Sequence, residues 1–438
     1  MKKLSNIKLN ITDFGPINKA NIELKKLNII AGTNGSGKTT SSKLLYCFLT
    51  SNSDEKEYLA NMSINRRIRS TINYLLDNFE FKFETELELR KLENELIFKS
   101  DDNTYNYQFT DNINLLKKIV NESQITNKET YLEKINAIEH ALEINSIEPR
   151  QFFEVSSSLI NSEFRINDLN LDKSNVQFYG KQKDNEFLCK LDYNESKFGF
   201  ILDQGDLNSI NIKNMIYIDS PSIFNSKSVS EAVILRNQPY HLRFLSRILS
   251  THKNNDDVYE SLFNQKLDEF KDNITELLGG FIYYDDEKEE FFFKKGDEDY
   301  SMNDTASGVK QLGIIQMLLS NRKLTENSFL IMDEPEVNRH PEWQVKFAEL
   351  IVLMIKELDI SIFINSHSPQ FIEALEVYSA KYELSDETKF YLSKESEHDK
   401  FDFEEILRDD LEILYNNLGY PYNRIIKVRA ENMRNGIF

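Results

Sequence analysis

GTNGSGKT, residues 32–39, matches G-x-x-x-x-G-K-[ST] in full, and its surroundings decide the fold. An apolar run, residues 27–31, leads into it. Behind Thr39, Leu44, Leu45 and Phe48 share one helical face. Strand, glycine loop and helix is the arrangement in which backbone N–H groups and a helix N-terminus cradle phosphates. Gly32, Gly35 and Gly37 permit the tight turns and close backbone approach that this needs. Of only 14 glycines in the chain, three fall within these six residues. Lys38 is placed to reach the β- and γ-phosphates, and the Thr39 hydroxyl to ligate Mg²⁺. Gly32, Asn34, Gly35, Ser36, Gly37, Lys38, Thr39 and Thr40 are the candidate nucleotide-binding residues, and ATP with Mg²⁺ are the implied cofactors.

A phosphate loop needs an acidic site, and FLIMDE (residues 329–334) supplies one: four apolar residues, then two carboxylates. This reads as a buried strand delivering Asp333 and Glu334 at its carboxyl end, where ligands sit in open α/β sheets. Asp333 is the candidate Mg²⁺ residue, acting through the ion's water shell. Glu334 is the candidate base that orients and deprotonates the attacking water. Further on, ISIFINSHSP (residues 360–369) repeats the pattern, with Asn365, Ser366 and His367 at a strand end. His367 there is a candidate γ-phosphate sensor. Upstream, TASGVKQLGIIQMLL places Ser307 and Gly308 at a helix N-terminus, which suits an anion and equally an ordinary N-cap.

Working outward, residues 7–24 alternate in period two around Gly15-Pro16, which predicts a hairpin. Residues 79–109 (FEFKFETELEL, ELIFKS, TYNYQF) and 176–202 also alternate, predicting one antiparallel layer. Helical patterns occupy about 112–172 and 229–279, MIYIDSP (215–221) reads as a short buried strand, and FIYYDDEKEEFFF as a hairpin. KFYLS is strand-like, and FDFEEILRDDLEILYNNLGYPYN reads as an acidic helix. The expected organisation is an N-terminal lobe over 1–225, a helical lateral segment over 226–279 and a C-terminal lobe over 280–438.

Composition narrows the class. With 438 residues, 40% apolar and 12% aromatic, the chain can bury a substantial core, and 14 Gly and 8 Pro exclude repetitive or linker-rich classes. Two cysteines, Cys47 and Cys189, cannot make a disulfide scaffold. No long apolar run suggests a membrane span or leader, so a cytoplasmic location is expected. The net charge is −19, but residues 383–412 carry twelve acids against four bases and residues 285–304 nine against three. The rest is close to neutral and leaves nucleic acid possible as a partner, although Arg66, Arg67 and Arg69 suit a solvated helix face better.

The FGP turn (Phe14–Pro16), GTNGSGKT, TASGVKQ, FLIMDEPEVNRHPEWQ and FINSHSP, in this order, resemble ABC-type ATPases of the non-transporter branch: the SMC, RecF and overcoming-lysogenisation-defect (OLD) groups. The chain is most similar to the bacterial AAA-family ATPases of anti-phage defence operons, over roughly residues 1–50 and 280–420. The resemblance implies an α/β fold, an ABC-type P-loop head with an antiparallel β layer and helical insertions. It makes Lys38 and Thr39 the Walker A residues, Asp333 and Glu334 the Walker B pair, and His367 the switch histidine. Ser307 and Gly308 become a signature that completes a partner subunit's site. TASGVKQ departs from the transporter-type LSGGQ, and no glutamine in MIYIDSPSIF answers to the family's metal-coupling loop glutamine. The implied function is an ATPase that acts at a dimer interface and regulates a separately encoded effector, a nuclease or toxin, in anti-phage defence. A RecF- or SMC-like DNA-repair ATPase, or an ATP-locked scaffold with little turnover, are the alternatives. No nuclease constellation is legible in this chain.

Overall fold

The N-terminal alternation becomes a hairpin of β1 (Ile7–Phe14) and β2 (Ile17–Glu23), turning at Gly15 with φ of 55°. Leu9 faces Ile22 and Ile11 faces Ala20, all buried, because a period-two pattern puts one face of both strands inside. The computed structural model describes residues 7–53, 55–79, 83–98, 109–122, 128–143, 149–164, 174–182, 185–194, 197–205, 207, 210, 212–219, 223–224, 238–251, 262–302 and 305–434.

After β3 (Leu27–Ala31) and α1 (Lys38–Thr50) come five helices: α2 (Lys56–Asn78), α3 (Phe83–Phe98), α4 (Phe109–Glu122), α5 (Lys128–Glu143) and α6 (Pro149–Glu163). Strands β4 (Asn175–Gln182), β5 (Asn185–Asn194), β6 (Lys197–Gly205) and β7 (Met215–Ile218) follow, then α7 (Tyr240–Ser250) and α8 (Leu262–Leu278). A small antiparallel sheet of β8 (Phe281–Asp285), β9 (Glu290–Lys295) and β10 (Glu298–Ser301) precedes α9 (Ser307–Ser320). The chain continues through β11 (Phe329–Asp333), α10 (Pro341–Leu358), β12 (Ser361–Ser366), α11 (Pro369–Lys381), β13 (Thr388–Glu395), β14 (Phe401–Ile406) and α12 (Leu411–Arg434).

The large sheet runs β6-β5-β4-β1-β2-β14-β13-β3-β12-β11-β7. Its β13-β3-β12-β11-β7 half is parallel, while β4-β1-β2 is antiparallel. The expected α/β class with an antiparallel layer is therefore the observed one. β3, β11, β7 and β12 are buried along their whole length, as parallel strands covered on both faces must be.

Two compact units divide the chain: residues 1–54, 159–191 and 202–438 form one, and Glu55–Ser158 with Asp192–Ile201 the other. The second has an aliphatic helical core of Ile68, Ile72, Leu75, Leu89, Leu92, Ile113, Leu116, Ile119, Val120, Tyr131 and Ile135. This body starts at Glu55, well before the helical pattern read from about 112, because residues 83–98 are a helix rather than the expected strand. Their alternation is local. Leu89 and Leu92, three apart, are buried while Leu87 stays exposed. A Glu86–Arg90 pair four residues apart fits a helix and supports it.

The acidic C-terminal reading also needs correction. FDFEEI is the strand β14, and the helix begins only at Leu411. Phe403 and Ile406 are its buried residues, and it pairs with both β13 and β2. This acidic stretch is thus built into the sheet, with β13 between it and the phosphate-loop strand β3. Pro221 and the side chains of Arg66, Arg67 and Ser307 lie outside the described residues. Among the described residues, no helix is long and apolar enough to cross a membrane.

Candidate functional site

The carboxyl ends of the parallel strands gather the polar residues. β3 ends at Ala31 and the loop turns into α1 through Gly37, whose φ of 91° favours glycine. A Cβ on Gly37 would also strike Ile17 at 2.6 Å, and one on Gly32 would meet Ser393 Oγ at 1.8 Å. Ser393, on β13, donates to the buried Ser36 hydroxyl at 2.7 Å, so the C-terminal strand braces the loop. α1 has no acidic residue in its first turn and no side-chain cap. Its first N–H groups and its positive dipole end are left for an anion.

Lys38 is buried, and its Nζ donates to the carbonyls of Gly32 and Thr33, both at 2.9 Å. An ammonium has three donors, so one remains for a phosphate oxygen. Burial holds this lysine below its usual range, and the charges of Glu334, Asp333 and Glu336 oppose that. The Thr39 hydroxyl donates to Asp333 Oδ2 at 2.6 Å. Asp333 also accepts from Asn365 Nδ2 at 2.9 Å and from the Tyr217 hydroxyl at 3.3 Å. Burial raises its carboxyl above the ordinary range, against those hydrogen bonds from Thr39 and Asn365.

Glu334 leaves the strand in a left-handed conformation, φ 50°, fixed by its N–H donating to Asn365 O at 2.9 Å. Strain of this kind collects at functional sites. It is part-exposed, with Oε1 3.8 Å from Lys38 Nζ and 3.3 Å from His367 Nδ1. Lys38, Thr39, Asp333, Glu334 and His367 therefore share one site. Gly308 instead lies against the loop after β11: a Cβ there would have Asn338 O and Arg339 Cγ as nearest atoms, at 3.9 Å.

Several residues of this site escaped the sequence reading. Glu336, two residues beyond Glu334, is buried, and its Oε1 accepts from Ser366 Oγ at 2.6 Å and from the N–H groups of His367 and Ser368 at 3.0 and 3.3 Å. It fixes the loop that carries His367, and the last acid of DEPE is its only sequence signal. Arg339 is buried with its guanidinium over the Phe347 ring at 3.8 Å and Nη2 on Gln311 Oε1 at 3.0 Å. Burial pulls it down to about 9. Ser42 bridges Tyr217 and Asn365 at 2.9 and 3.0 Å.

A family profile described as an AAA ATPase domain matches residues 3–372. No curated protein matches the chain. Among solved structures, the Smc head bound to the C-winged helix domain of ScpA is similar, with 12% identity, 92% of this chain and 98% of that one covered, and a TM-score of 0.41. The SMC head domain from Thermotoga maritima gives 11%, 91%, 98% and 0.37 for the same measures. An Smc head domain with an extended coiled coil, bound to the C-terminal domain of ScpA derived from Pyrococcus furiosus, gives 10%, 93%, 98% and 0.40. The profile spans most of the sequence and reaches from the first strand through the strand that carries Asn365, so the chain belongs to the AAA ATPase domain family.

Proposed function

We propose that this ATPase binds Mg²⁺-ATP at the carboxyl ends of β3, β11 and β12 and works as an ABC-type head whose complete site needs a second copy. One observation supports the first part: two loop carbonyls hold the Lys38 ammonium and Asp333 holds the Thr39 hydroxyl at the start of α1, leaving one lysine donor for a phosphate. The residues fit the ion: the Thr39 hydroxyl and the Asp333 carboxylate, hard oxygen donors 2.6 Å apart, would hold it, Thr39 directly and Asp333 through its water. Mg²⁺ sites use one or two carboxylates and leave the rest to phosphate and water. When bound, the ion neutralises charge developing on the β- and γ-phosphates.

The chain's own residues do the remainder. The loop N–H groups and Lys38 bind the phosphates. Glu334 takes a proton from the attacking water, and His367 beside it reads the γ-phosphate. Glu336 holds that histidine's loop. The order of motifs supports a role for the Ser307–Gly308 turn towards a second subunit. Mixing a Lys38 variant with a Ser307 variant tests this: activity above either alone is expected. Its absence, with mixed dimers shown to form, would place the site within one chain.

Regulation of a separately encoded nuclease or toxin in anti-phage defence is the finer reading, supported by the order of motifs. The isolated chain is then expected to hydrolyse ATP without cutting DNA or RNA. Robust cleavage by the pure chain with Mg²⁺ or Mn²⁺ would overturn it.

A further inference from the structure

Beside the nucleotide site lies a charge cluster that the roles above leave unused. His241, the second residue of α7, has a fully buried side chain between two acids. Its Nδ1 is 2.6 Å from Glu163 Oε2 and its Nε2 is 3.0 Å from Asp219 Oδ2. Its backbone N–H donates to the other Glu163 oxygen at 3.0 Å. Lys43, from α1, approaches Glu163 at 3.9 Å, and the rings of Tyr46 and Tyr217 pack on the imidazole with centroids at 6.2 and 4.9 Å. A neutral imidazole has a single N–H, so a ring facing a carboxylate at each nitrogen is an imidazolium. Burying three charges is a poor way to gain stability, which leaves positioning as their use.

Register shows what is positioned. Met332 pairs with Ile218 across β11 and β7, and Asp333 with Asn365 across β11 and β12. Asp219, one residue past Ile218, therefore stands next to Asp333. The three strand ends present Asp219, Asp333 and Asn365 in a row. Tyr217 shares a face with Asp219, being two residues away, and its hydroxyl touches both Asp333 and Ser42 of α1. The row thus faces the phosphate-loop helix. Asp219 is near enough to Asp333 for its charge to help raise that carboxyl. His241 occupies only Oδ2 of Asp219. Oδ1 is buried and, among the described residues, has no hydrogen-bond partner.

We propose that Asp219 is a further working carboxylate of the nucleotide site, clamped by the Glu163–His241 pair so that its second oxygen accepts hydrogen bonds from water around the metal and nucleotide. It is a positioning residue for Mg²⁺-dependent hydrolysis, and His241 and Glu163 position it in turn. The proposal rests on the ATP site described above.

The test compares full-length wild type, Asp219→Asn, His241→Gln, the double variant and Lys38→Ala. Steady-state ATPase is titrated with Mg²⁺, fluorescent-ATP affinity is measured in EDTA, and melting is followed alongside. Asp219→Asn is expected to lower kcat about tenfold or more and to raise the Mg²⁺ needed for half-maximal rate about fivefold, as loss of an outer-shell partner does. Affinity in EDTA should hold within about twofold, because phosphate contacts are untouched. His241→Gln should move the Mg²⁺ midpoint the same way, and the double variant no further than Asp219→Asn. Should Asp219→Asn not fold, Glu163→Gln carries the same expectation for the Mg²⁺ midpoint. A wild-type Mg²⁺ profile in the folded Asp219 variant, or a rate loss that follows melting temperature with an unmoved midpoint, overturns the proposal. Unimpaired turnover by Lys38→Ala would instead overturn the ATP-site reading itself.

Discussion

The parallel half of the sheet and the helical body of residues 55–158 are both well buried, but they bury different things. Around the carboxyl ends of the strands the interior holds Ser36, Lys38, Ser42, Asp333, Glu336, Asn365 and Ser366. Most of these polar groups have a named partner within hydrogen-bond distance. The helical core is aliphatic apart from Tyr131. A polar interior fixes atoms, since each unsatisfied group costs about 1–3 kcal/mol, whereas an apolar interior fixes volume and tolerates repacking. The difference separates where catalysis can be damaged from where only stability can.

The sharpest way to break that separation is Glu334→Gln, which keeps shape and removes the base. Turnover should fall about 10²–10⁴-fold with ATP still bound, the range of a lost general base. Lys38→Ala should weaken nucleotide binding instead. Wild-type turnover in the Glu334 variant would remove the base assignment.

A matched pair sharpens the comparison. Glu336→Ala orphans the Ser366 hydroxyl and the His367 N–H, while the Ser368 N–H keeps Ser366 Oγ at 3.1 Å, and should cost about 2–6 kcal/mol at about 1–3 per orphaned group. Leu89→Ala, in the helical core, should cost about 2–5 kcal/mol from transfer and cavity. Denaturant titration should find similar losses. ATPase measured below both transitions should fall only for Glu336→Ala, because only that residue holds the loop bearing His367. An equal loss in Leu89→Ala would show that the helical body is part of the catalytic machinery.

What was legible in the sequence follows the same line. Phosphate chemistry demands glycines, a lysine and a hydroxyl within eight contiguous residues, and it demands acids at the end of an apolar strand. Those positions could be read without a structure. Residues 83–98 could not, because alternation over a short stretch does not exclude a helix, and the Glu86–Arg90 spacing was the better signal. FDFEEI suits a helix by the spacing of its acids, yet Phe403 and Ile406 bury it in the sheet. Glu163, Asp219 and His241 sit on α6, past β7 and on α7, so only strand register and helix packing reveal them as a unit.

The Glu163–His241–Asp219 cluster gives the next largest effect, through pH. Burial alone would depress His241, but hydrogen bonds and charge from Asp219 and Glu163 raise it to about 9. A raised pKa stabilises the fold fully below the unfolded value of about 6.5, and that contribution is lost as pH climbs through the folded value. The wild type should therefore lose on the order of 2–3 kcal/mol between about pH 6.5 and 9, at about 1.4 kcal/mol per pH unit. Glu163, Asp219, Lys43, Tyr46 and Tyr217 are the other titratable groups facing the ring. Against its burial, hydrogen bonding and charge from His241 hold Asp219 below the usual carboxylate range, and burial pushes Tyr46 and Tyr217 well up. Asp219 stays ionised across this window. Melting curves of His241→Gln should be flatter there. Parallel pH dependence in the two proteins would place the titration elsewhere.

The smallest effect lies on the helical body's surface. Arg90 donates through Nε and Nη2 to Glu86 Oε1 at 3.0 and 2.9 Å, one turn away on α3. Both side chains are largely in water, 59% and 42% exposed, so the charges are screened and two long side chains must be ordered to meet. Such i,i+4 pairs contribute about 0.3–0.5 kcal/mol. The pairing in the site is comparable in length, with Thr39 on Asp333 at 2.6 Å, but there the accepting carboxylate is buried. Arg90→Ala should thus shift the denaturation midpoint barely beyond error, lose even that shift in high salt, and leave ATPase unchanged. A loss of turnover in this variant, with stability intact, would mean that the outer face of α3 takes part in function and that the division between a polar working half and an apolar supporting body has been drawn in the wrong place.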